Sequence, residues 1–172
     1  HLRWESIRGR QFLWASRRAL DVATDREALR PSIFDYLARR GREPALDVSV
    51  RIGFLYRLLR DLLRLQRYGE ADAVLRDLDA AIVERHGEAA LDPSGSVARL
   101  RACRTPQEAA AVGSYCLPRR HQFAAQVAQH ARGRYAEARA LYRAAAEATE
   151  CCALLGSAWF MEAIAALWSM RI

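Results

Sequence analysis

Three arginines, Arg57, Arg60 and Arg64, recur at i, i+3 and i+7 and so share one face of a helix. Guanidinium groups bind carboxylate or phosphate through forked pairs of N–H donors, so the chemistry this spacing offers is anion capture. Leu55, Leu58, Leu59, Leu62 and Leu65 form the apolar stripe of the same segment, which leaves the arginines as a basic ridge opposite it. Without a ligand the same ridge is an ordinary solvated face. All 27 basic residues of the chain are arginine and its formal charge is +7. A GC-rich coding bias that fills surface positions with arginine accounts for that excess as well as a dedicated anion face does.

Other chemistries find less support. The intervals between Cys103, Cys116, His121 and His130 fit no common zinc spacing. Small buried thiols explain Cys103 and Cys116 more simply. The chain has no Gly-x-Ser-x-Gly, no Walker loop, no glycine-rich phosphate cradle and no lysine. Asp77 and Asp79 fall on different sides of a helix, and Glu108, Glu137 and Glu147 read as surface or first-turn residues. No catalytic residue, metal or cofactor is therefore expected, and the chain does not read as an enzyme. Gln107-Glu108-Ala109 with Gly113, followed by Leu117-Pro118-Arg119-Arg120, echoes a helix-turn-helix. Arg119, however, falls where that motif needs an apolar residue. Four cysteines without a Cys-x-x-Cys fit a reduced, cytoplasmic interior.

These residues are positioned by helices. The 172-residue chain has nine glycines, five prolines and 52% hydrophobic residues rich in alanine, so helix breakers are few and one all-α domain is expected. The periodicity predicts a helix over 3–23, with Trp4, Ile7, Trp14 and Val22 on one face, and a second carrying Leu29, Ile33, Phe34 and Leu37. Thr24 and Glu27 stand in capping-box spacing, and Pro31 starts or kinks that second helix. Further helices are predicted over about 46–66, 69–85, 96–103, 106–116, 119–131 and 135–150, with a last one over about 152–170. Asp92-Pro93-Ser94-Gly95 reads as the clearest loop.

Two of the predicted joints share a motif. Gln66-Arg67-Tyr68-Gly69-Glu70-Ala71 and Gly133-Arg134-Tyr135-Ala136-Glu137-Ala138 both read x-Arg-Tyr-x-Glu-Ala. The offset from Tyr68 to Tyr135 is close to two periods of a repeat of about 34 residues. Ala138, Tyr142 and Ala145 give a small-aromatic-small series in the second helix. On these residues the chain resembles the tetratricopeptide-repeat (TPR) family. Residues 52–85 match best; in 119–152 the second helix matches, but Gln122, Ala125 and Gln129 stand where large apolar residues are usual. Residues 86–118 are degenerate, and 1–45 have no readable motif. The resemblance implies antiparallel helix pairs stacked as a right-handed array of about eight or nine helices, because no pair buries its apolar face alone.

The resemblance also implies where a ligand sits. The first helix of each pair lines a concave surface, which would receive Tyr56, Arg57, Arg60 and Arg64 from one pair and Arg120, Phe123 and His130 from the other. The implied function is a protein-binding scaffold that holds an acidic peptide or protein segment. The alternatives are a nucleic-acid-binding helical domain of a regulator and a helical oligomerisation domain of a larger enzyme. The last predicted helix carries Trp159, Phe160, Ile164 and Trp168 on several sides and one charge, Glu162, before Met170. It is expected to be covered, by internal docking or by a homodimer contact, and its alanines and serines make it a poor membrane span. Because the sequence starts with His1, a piece of a longer protein is expected.

Overall fold

Short polar side chains open some of the helices and leucine or alanine stripes carry them. The computed structural model describes residues 26–154. Seven α-helices and one 3-10 turn occur there, with no strand among the described residues: α1 (Arg26–Gly41), α2 (Val48–Arg64), α3 (Tyr68–His86), the 3-10 turn (Glu88–Ala90), α4 (Pro93–Ala102), α5 (Pro106–Ala111), α6 (Leu117–His130) and α7 (Tyr135–Leu154). The fold is all-α. The predicted helix over 3–23, the Thr24 cap, and Trp159, Phe160, Ile164 and Trp168 lie outside the described residues.

Three helix starts have side-chain caps. The Asp47 carboxylate accepts from Ser49 N at 2.8 Å and opens α2. Asp92 accepts from Gly95 N at 2.6 Å and opens α4. Thr105 accepts from Glu108 N at 3.2 Å, while Glu108 accepts from Arg104 N at 2.7 Å. Each cap satisfies an amide that has no partner inside its helix. The second of these corrects the sequence reading: Pro93-Ser94-Gly95 is not a loop but the first turn of α4, with Asp92 as its cap and Pro93 where its missing N–H costs nothing. Helix α5 is shorter than predicted, because the chain turns at Gly113 with φ +96°. The predicted break near residue 151 is absent, and α7 runs unbroken to Leu154. Helix α1 is already formed at Arg26, ahead of Pro31, and continues through that proline.

The core is built on two helical hairpins, α2–α3 and α6–α7, with α6 packed against both α2 and α3. Helix α1 packs on α2, and α4 lies on α7. When Tyr68 is aligned with Tyr135, α3 and α7 start together. The turns also correspond. Gln66 and Gly133, equivalent in the same alignment, both adopt left-handed backbone, with φ 59° and 63°. Past them, Ala71 N bonds Arg67 O at 3.0 Å and Ala138 N bonds Arg134 O at 2.9 Å. Ala71 and Ala138 are both buried, and their small side chains let each second helix approach its first closely.

The main core gathers Leu55, Leu58, Leu59 and Leu62 of α2, Leu75, Leu78 and Ile82 of α3, and Phe123 and Val127 of α6. A smaller cluster of Val97, Leu100, Ala109, Ala144, Ala148 and Cys151 holds α4 and α5 on α7.

Candidate functional site

Helix α2 carries Tyr56, Arg57, Arg60 and Arg64, and α6 lies beside it with Phe123. The Tyr56 and Phe123 rings meet at 5.9 Å between centroids. The Tyr56 hydroxyl donates to Cys116 O at 2.5 Å, fixing the start of α6 on α2. Burial pushes the Tyr56 phenol well above its ordinary range, so it acts there as a donor. The Arg119 guanidinium lies 5.7 Å over the Phe123 ring. Burial lowers its pKa to about 9, the nearby Tyr56 opposes that fall, and the charge of Arg60 adds to it. On the sequence Arg119 is misplaced for a helix-turn-helix. In the folded chain it joins the arginines of α2 along the α2–α6 seam.

The arginines of α2 are less free than the basic ridge implied. Arg57 Nε donates to Asp61 at 2.7 Å and Arg60 Nε to the same carboxylate at 3.3 Å. Their side chains are only 14% and 21% exposed. Asp61, at i+4 from Arg57, is thus a brace within the ridge, and that spacing is a signal the sequence does carry. Arg64 is exposed.

Arg120 is not the free basic group that the sequence suggests: it is buried and paired. Its side chain is 9% exposed and grips Asp79 through a fork, Nε at 2.8 Å and Nη2 at 2.7 Å. Its remaining arm donates to Leu91 O at 3.3 Å and to His121 Nδ1 at 3.4 Å. A guanidinium only donates, so Nδ1 accepts and the ring proton sits on Nε2. That proton points at Ser96 Oγ, 2.8 Å away, whose own proton goes to Pro93 O at 3.0 Å. The donors therefore run in one direction, outward from Arg120 through His121 and Ser96 to Pro93. His121 cannot serve Ser96 as a general base in this arrangement, because it donates to that hydroxyl. Burial and the neighbouring Arg120 lower its pKa to about 4, which keeps it neutral in this role. The network ties α3, α4 and α6 together, and no local spacing in the sequence announces it.

Phe123 is buried against Tyr56 and does not present a free face. His130 is at the far end of α6 and stacks on Tyr68 at 4.7 Å with 18° between the rings. The structure thus brings Tyr56, Arg60, Phe123 and the unforeseen Arg119 together, with Arg57 braced on Asp61 and Arg64 one turn beyond Arg60. It assigns Arg120 and His130 to contacts between the hairpins.

Cys116 is buried and donates to Gly113 O at 3.3 Å, and burial pushes its thiol up to about 12. No group of His, Cys, Asp or Glu suited to a metal ion occurs among the described residues, and none of the helices described there is long and apolar enough to cross a membrane. A cleft of about 230 Å³ lies between α3, α6 and α7, lined by Leu75, Asp79, Arg120, Arg132 and Leu141. Its charges are already engaged, Asp79 with Arg120 and Arg132 with Asp72 at 2.5 Å. Compared with known families, curated proteins and solved structures, the chain matches none.

Proposed function

We propose that the chain is a non-catalytic protein-interaction module, a TPR-like right-handed array of helix pairs, which holds an acidic peptide or protein segment along the α2–α6 seam. The array reading is supported by the two hairpins with equivalent left-handed turn residues and by the packing of α6 against both helices of the first hairpin. The observation that carries the binding reading is the approach of Arg119 of α6, which lies over the Phe123 ring, to Arg60 of α2 beside the Tyr56–Phe123 contact. Half-buried guanidinium groups of like charge repel one another. A carboxylate entering the seam relieves that repulsion, in a setting less screened than open solvent. The aromatic floor offers apolar contact to the segment that carries the carboxylate.

The test is a fluorescence anisotropy titration with a labelled Asp/Glu-rich peptide, comparing the parent chain with Arg60→Gln/Arg64→Gln. Arg57 is left intact because it braces Asp61. The expected result is at least about a tenfold loss of affinity with an unchanged melting temperature. Equal affinity in the double variant, or tighter binding of a single-stranded oligonucleotide than of the peptide, would overturn the reading.

A further inference from the structure

The first hairpin shows what an occupied flank looks like in this chain. On α3, the flank turned to the second hairpin carries Tyr68, stacked on His130, and Leu75, which is 3% exposed. The same flank carries two carboxylates, Asp72 and Asp79, and these receive Arg132 and Arg120 of the second hairpin. In the alignment of α3 with α7, the positions of Tyr68, Asp72, Leu75 and Asp79 become Tyr135, Arg139, Tyr142 and Ala146. These four fall at i, i+4, i+7 and i+11, on one face of the helix.

That face is open. Tyr135 is 70% exposed and Tyr142 39%, and Arg139, Arg143 and Ala146 are exposed as well. No carboxylate among the described residues lies within ion-pairing distance of Arg139 or Arg143. Glu137 and Glu147 on the same helix face Arg134 at 3.4 Å and Arg101 at 2.8 Å. Glu150 lies about two turns beyond Arg143. Where α3 offers carboxylates to incoming arginines, α7 offers arginines, so the charge a partner must carry is inverted. Exposed tyrosine and arginine are also the side chains that contribute most when they are covered by protein.

We propose that this flank of α7 is a second docking surface, for an acidic amphipathic helix of another protein. That helix sets its apolar ridge on Tyr135, Tyr142 and Ala146 and its carboxylates against Arg139 and Arg143. A second copy of this chain suits the surface less. Docked as α6 docks on α3, it would bring Arg132 against Arg139, like charge on like. The proposal stands apart from the α2–α6 seam, since it uses none of the same residues.

The experiment titrates two labelled helical peptides into the full chain. One has leucines on one face flanked by glutamates, and the other is its twin with arginine in place of each glutamate. The acidic peptide is expected to bind, and Arg139→Glu/Arg143→Glu to weaken it at least about tenfold while strengthening the arginine twin. Tyr142→Ser is expected to weaken both combinations, and Arg60→Gln/Arg64→Gln neither. Three results would overturn the proposal: affinity for the acidic peptide unchanged by Arg139→Glu/Arg143→Glu, a single-stranded oligothymidylate binding more tightly than the peptide, or a dimer of the parent chain that those substitutions dissociate.

Discussion

The first hairpin buries Leu55, Leu59 and Leu62, whereas the second leaves Gln122, Gln126 and Gln129, at the equivalent positions, half in solvent. The second hairpin instead buries the opposite side of its first helix: Arg120, His121, Ala124 and Val127. The two turns are alike in backbone, and the two second helices start at equivalent tyrosines. The hairpin shape is thus set by the left-handed turn residue and the small Ala71 or Ala138 after it. Which flank of the first helix goes inside is set by its neighbours. Helix α2 has α1, α3 and α6 around it, and α6 has α2 and α3 on one side and α7 on another.

The sharpest way to break this comparison is to cut equivalent side chains. Leu59→Ala removes a fully buried side chain and is expected to cost about 2–5 kcal/mol in urea unfolding. Gln126→Ala, at the equivalent position, is expected to stay within about 0.5 kcal/mol. Equal costs would mean that the two first helices are buried alike.

Next in size is the titration of the buried polar network around His121 of the second hairpin. The pKa of His121 is lowered from 6.5 to about 4 on folding, by burial first and by Arg120 second, with Asp92 opposing. Between those values the unfolded chain binds the proton and the folded chain does not, so stability rises with pH across the window from about 4 to 6.5. The contribution is complete above the upper value and is lost as pH falls through the window, on the order of 3 kcal/mol in all. His121→Gln keeps a donor for Ser96 without the titration. Its unfolding free energy is expected to be flatter than the parent's across that window.

The smallest effects test the likeness of the turns. Gln66 holds a left-handed conformation that costs a residue with a Cβ about 1 kcal/mol, whereas Gly133 holds it freely. Gln66→Gly is expected to stabilise by up to about 1 kcal/mol and Gly133→Ala to destabilise by about the same. A Cβ at Gly133 meets open space, so the loss measures backbone alone. Effects of the same sign would show that the two turns are not equivalent.

Much of the helical content is legible in the sequence because it is local. The leucine spacing of α2 and the paired Arg-Tyr-x-Glu-Ala motifs mark both hairpins, and Tyr68 and Tyr135 do open the second helix of each. Asp92-Pro93-Ser94-Gly95 misleads because residues that favour loops also favour helix caps and first turns, and only the bond from Gly95 N to Asp92 separates the two. The candidate site is legible in its α2 half alone. Tyr56, Arg57 and Arg60 follow from periodicity, but the fate of Arg120 depends on Asp79, far back in α3, and no local window spans that pair. Arg119 fails the apolar position of a helix-turn-helix because it lies over the Phe123 ring at the α2–α6 seam, while most of α6 from Leu117 to Ala128 is buried. Tyr135 and Tyr142 carry the repeat motif, yet only the folded chain shows them exposed where Leu75, the counterpart of Tyr142, is buried.

The account rests on the direct stacking of the second hairpin against the first, in register. The most direct measurement is a nuclear Overhauser spectrum of the full chain with Tyr and His rings selectively labelled. It should give cross-peaks between the Tyr68 and His130 rings, whose centroids are 4.7 Å apart. If the Tyr68 ring shows contacts only to α2 and α3, and none to His130, the hairpins do not stack this way, and the α2–α6 seam is not a site.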